Sequence, residues 1–293
     1  MDSKDAIIIV VCEKSGVLLG ETIGSMGGQL SGAEVVAIGR GISGLVPGVG
    51  IDILDVKEGS SIAVSVGDRI LGSGKRLAIV VREGVSFTDG SLDGIATGIA
   101  SDSRVITTPP CQLISRKRTG MFFGSTVTLG IDMAKRQFSD VFDLEPVPDC
   151  DSSRKTLCVF PGCYDFGVEW FKTIHPWDGL YGTGAMALAI SLASWLSGGS
   201  CSVSNEPVKS AVWSSFEMSK EVWTDYLDKV KVACAMTPPV VSGKIIMLLP
   251  ECDAKAKAMT EMRLSVSGIL AEKRRFEEAV SNNPVFEKFG VKL

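Results

Sequence analysis

Histidine is nearly absent: the 293 residues contain one, His175. A zinc site built on two or three imidazoles is therefore excluded. Any Ser–His or Cys–His pair has to use His175 as its base. That residue lies in Thr173-Ile-His-Pro-Trp177, a turn-like stretch ahead of a proline, which reads as structural. Long apolar runs are missing too. The longest, residues 184–196, is well short of the ~20 residues of a membrane-spanning helix. The run from Ala6 to Cys12 is short and follows Asp2 and Asp5, so it is not read as a secretory leader. A soluble, cytoplasmic protein is expected, with its eight cysteines as thiols.

Positive charge is not in excess either. The net charge is −4 and the pI about 5.3, which argues against broad binding to nucleic acid or to an anionic membrane. Two short basic clusters occur. Lys273-Arg274-Arg275 sits among Glu272, Glu277 and Glu278 and reads as a solvated helix face, whereas Arg116-Lys117-Arg118 stands alone and suits an anion contact better. There is no Cys-x-x-Cys, no Gly-x-Gly-x-x-Gly and no Gly-Lys-Ser/Thr, so the usual redox, dinucleotide and P-loop fingerprints are lacking.

What is present is apolar material for a core, 45% of the chain. Much of it comes as short runs apolar on both faces, the pattern of buried parallel strands. The frame Lys, five mostly apolar residues, Pro, any residue, Cys occurs twice, at Lys155–Cys163 and at Lys244–Cys252. Strands are expected at 5–12, 34–38, 76–82, 105–108, 155–160 and 244–249. The fold class is α/β, mostly parallel, with an antiparallel hairpin inserted near 50–66. An α+β chain, β-rich first and helical later, is the alternative. Helices are expected over 89–101, 184–196, from about Asn205 to Cys234, and from Asp253 to about Asn282. The acidic, proline-bearing stretch 140–154 reads as a linker between a domain of residues 1–139 and one of residues 155–293.

In open α/β sheets ligands bind at the carboxyl ends of the strands. Cys12, Cys111, Cys163 and Cys252 are expected there, with Glu13, Glu83, Asp165, Glu251 and Asp253 beside them. Thiols in such a row suit a soft metal or iron–sulfur centre, or a nucleophile; packing as small hydrophobes is the plainer reading. The catalytic candidates are Cys163 as nucleophile or ligand, with Asp165 or Asp253 as acid–base partner. The glycine-rich stretch after the first strand offers Gly16, Gly24, Gly27 and Gly28 as phosphate contacts. Together these point to an α/β protein that binds a small anionic ligand, as a cysteine-dependent enzyme if it is catalytic, and as a homo-oligomer. The alternative is a non-catalytic structural or interaction protein, such as a viral or assembly subunit. No cofactor is indicated.

Overall fold

The computed structural model describes residues 3–12, 18–27, 29, 32–44, 51–92, 95, 103–114, 119–128, 143–148, 153–180, 182–210, 220–238, 260, 266–282 and 285–289. It is an α/β fold built on a seven-stranded sheet. Strand β1 (Ala6–Cys12) is buried along its whole length, as its run of Ile and Val requires. It pairs in parallel with β2 (Glu34–Gly39) on one side and β4 (Leu77–Arg82) on the other. Beyond β2 lies β3 (Ile51–Asp55), also parallel. Beyond β4 lie β11 (Cys163–Gly167), β6 (Val105–Thr108) and β12 (Ser200–Val203). β11 runs against both its neighbours, while β12 is parallel to β6. Strands from both sides of residues 140–154 thus share this sheet.

A smaller sheet, in the order β5-β13-β7-β8, is made by β5 (Val85–Phe87), β7 (Cys111–Ile114), β8 (Thr119–Phe122) and β13 (Val208–Ser210). β9 (Ser125–Thr128) and β10 (Asp143–Pro146) form an antiparallel pair. The helices are α1 (Leu19–Met26), α2 (Ile62–Gly72), α3 (Val168–Ile174), α4 (Met186–Leu196), α5 (Lys220–Met236), α6 (Val266–Asn282) and α7 (Val285–Lys288).

Alternation along each buried strand splits the core in two. Ile7, Ile9 and Val11 join one apolar cluster with α2, α3, α4 and α5. Ile8, Val10 and Cys12 join the other, with α1 and residues of the smaller sheet. Helix α4 is buried all round, as its continuous apolar sequence demands.

The structure corrects several expectations. Residues 50–66 are not a hairpin. Ile51–Asp55 runs parallel to β2, and the next segment is helix α2. There Ile62, Val66 and Ile70 recur every fourth residue, a helical spacing that the local alternation of 61–66 masks. The Ser61 hydroxyl accepts from the Val64 N–H and starts that helix. Residues 155–160 are not a strand of the sheet. Lys155 and Cys158 make only isolated bridges, and Pro161-Gly162 turns the chain so that the strand begins at Cys163 and runs the opposite way. No helix opens at Asn205, because Val208–Ser210 pairs with β5 and β7; the described helix starts at Lys220. Residues 244–249 lie outside the described residues.

Candidate functional site at the carboxyl edge of the sheet

The chain lays β2 and β3 on one side of β1, then returns to place β4 on the other side. The strand order thus reverses at β1, and in open α/β sheets the carboxyl ends of the strands at such a reversal are where ligands bind. Val11 is level with Arg82, and Cys12 with Gly39. Gly39 is required by close approach, because a Cβ there would lie 2.6 Å from the Cys12 carbonyl oxygen.

Several polar groups organise this edge. The Glu83 N–H donates to the Val11 carbonyl at 2.9 Å, so the turn after β4 folds back onto β1. The Glu83 carboxylate, nearly buried, accepts from the Leu18 N–H at 3.4 Å, at the amino end of α1. Thr22 and Ser25 on α1 accept from the N–H groups of Gly84 and Phe87 at 2.8 and 3.0 Å, which docks the helix on the same turn. At the end of β3, Asp55 accepts from the N–H groups of Gly41 and Ser43 at 2.8 and 3.2 Å. The Ser43 hydroxyl, helped by these backbone donors, holds the Asp55 carboxyl below its ordinary value. Arg40, just after β2, donates to the Ser60 carbonyl at 2.6 Å, and Arg82 ends β4. Two arginines thus stand in the chain at or just past the carboxyl ends of β2 and β4.

Cys12, Cys111 and Cys163 do gather along this edge. β11 is reversed, so its first residue lies opposite Val81 near the end of β4. All three are sealed in one apolar cluster, each 1% exposed or less. Burial, then the nearby Asp165 and Cys111, pushes the Cys163 thiol far up. A thiolate is the reactive form, and this burial disfavours it; in this structure Cys163 packs as a small hydrophobe. Asp165 is fully buried with both carboxyl oxygens unpartnered, and burial raises its pKa far above the carboxylate range. That burial favours its neutral form, and it lies level with Ile79 and Thr107 in the sheet, closed to solvent. Gly24 lies inside α1, and Gly27 closes that helix with φ 45°, the conformation of a C-terminal cap. Gly16, Gly28, Cys252 and Asp253 lie outside the described residues. His175 closes α3 with φ 41°, its N–H donating to the Phe171 carbonyl at 3.0 Å. Among the described residues no group of three His, Cys, Asp or Glu side chains is placed to hold a metal ion. Among them, too, no helix is long and apolar enough to cross a membrane.

Sequence reasoning missed Arg40, Asp55 and Arg82. Each follows directly on a strand or ends one, and that position was the available signal.

No family model and no curated protein matches the sequence. Solved structures do resemble the fold. GalNAc-T7, determined with UDP, GalNAc and Mn2+, superposes with a TM-score of 0.56 at 13% identity. The chain shares its fold with that protein. The match covers 78% of this chain and 48% of GalNAc-T7, so the chain spans about half of that protein's length. S. aureus TarS 1-349 gives a TM-score of 0.49 at 12% identity, over 98% of this chain and 75% of that one.

Proposed function

We propose that the chain binds a nucleoside diphosphate, carried as a nucleotide sugar, in the crevice between the carboxyl ends of β1 and β4, and that it transfers the sugar. The observation that carries this reading is the reversal of strand order at β1, on a fold shared with a protein solved with UDP, GalNAc and Mn2+. The chemistry of the edge supports it. Arg40 and Arg82 supply guanidiniums suited to phosphate oxygens. Asp55, holding the amides of Gly41 and Ser43, orders the loop that follows Arg40. Transfer breaks the bond between the anomeric carbon and the diphosphate oxygen while an acceptor hydroxyl oxygen bonds that carbon and releases its proton to solvent. Cations at the rim then stabilise the charge on the departing diphosphate.

The test is calorimetric titration of the full chain with a panel of nucleoside diphosphates that includes UDP. At least one is expected to bind saturably. Arg82→Ala should weaken that binding about 10- to 100-fold, the loss of one charged hydrogen bond of about 1.5–3 kcal/mol. Absence of binding across the panel would overturn the reading.

A further inference from the structure

An ion pair is buried on α5, far in sequence from the sheet. Asp228 is fully buried and Lys231 nearly so, with Nζ 3.3 Å from Oδ1. Both also hold backbone groups of one short segment. Asp228 Oδ2 accepts from the Gly182 N–H at 2.7 Å, and Lys231 Nζ donates to the Gly179 carbonyl at 3.0 Å. Between these two points the Ser61 hydroxyl donates to the Leu180 carbonyl. Three side chains from two regions thus hold backbone groups of Gly179, Leu180 and Gly182.

The topology places that turn. Gly167, where α3 begins, is level with Leu77 at the amino end of β4. Ser200, which follows α4, is level with Val105 at the amino end of β6. α3 leads away from the amino edge and α4 leads back to it, so the segment joining them lies toward the carboxyl edge. Its bond to Ser61 agrees, since that residue follows β3 and starts α2 on the same side. A buried ion pair adds little stability over well-packed apolar residues. What this pair does add is a fixed position for the backbone of Gly179 and Gly182.

We propose that Asp228 and Lys231 are positioning residues that clamp Gly179–Gly182 against the carboxyl edge, so that α5 shapes the binding crevice. This inference rests on the nucleotide reading for its ligand, but not for its geometry. The test compares two double variants of the full chain. D228L/K231M replaces the pair by apolar side chains of similar size and removes both tethers. D228N/K231Q keeps an acceptor for Gly182 and a donor for Gly179. In D228L/K231M the Gly182 amide is expected to exchange about 100-fold faster than in the native chain, with core amides unchanged. UDP affinity should fall about 10-fold. D228N/K231Q should restore both. Unchanged Gly182 exchange in a folded D228L/K231M would overturn the clamp. If the native chain binds no UDP, the nucleotide reading fails while the exchange rate still decides the clamp. If D228L/K231M does not fold, D228N/K231M, which keeps an acceptor for Gly182, leaves no buried charge and removes only the tether on the Gly179 carbonyl, takes its place. Faster exchange at Leu180 and Thr183 then supports the clamp, and native rates overturn it.

Discussion

Asp165 sits in the middle of β11, level with Ile79 and sealed between β4 and β6. The sequence placed it at the carboxyl edge, after a strand at 155–160; the strand instead begins at Cys163 and carries Asp165 inside the sheet. Nothing in Cys-Tyr-Asp-Phe-Gly announces an interior strand, because an unpartnered acid is the last residue expected there. The consequence is a pH dependence of stability. The folded state holds Asp165 protonated, whereas the unfolded chain ionises it above the ordinary carboxylate value of about 3.9. Its contribution is fully present below that pH. It is lost as pH rises towards the folded-state value, at up to about 1.4 kcal/mol per pH unit. Asp165→Val should remove this slope and raise stability at pH 7, as read from urea midpoints at a series of pH values. A variant with the native slope would show that Asp165 is not the group responsible. The cysteines teach the same lesson: their shared edge could be read from strand ends, but their sealing in apolar packing could not.

At the scale of the element, β1, β2 and β4 were legible because continuous Ile and Val runs buried on both faces have few other readings. Helix α4 was legible for the same reason, through its length and its Gly198 stop. The 50–66 segment was not, because a six-residue alternation and one face of a helix can share a sequence until the next turn is counted. The deciding sign was Ser61, whose hydroxyl caps α2 and also holds the Leu180 carbonyl. Ser61→Ala removes both bonds. It should cost about 1–2 kcal/mol, the usual loss of an N-cap plus one neutral hydrogen bond, measurable by denaturant unfolding. A loss well under 0.5 kcal/mol would mean that α2 starts without its cap.

On the scale of the whole molecule, two features place the crevice: strand order, and the side chains that close around the carboxyl edge. Strand order was only half visible in sequence. Parallel strands could be recognised, but the reversal at β1 and the antiparallel insertion of β11 depend on pairing between distant segments. The clamp from α5 was invisible for the same reason, as Asp228 and Gly182 meet only after the chain has folded. We place the nucleoside diphosphate of the proposed function over the carboxyl ends of β1 and β4, where the strand order reverses. A crystal structure of the full chain soaked with UDP tests it most directly. Density for the diphosphate between the carboxyl ends of β1 and β4, within hydrogen-bonding reach of Arg82 or Arg40, is the predicted result. UDP ordered elsewhere on the molecule, with that crevice holding only solvent, would contradict it.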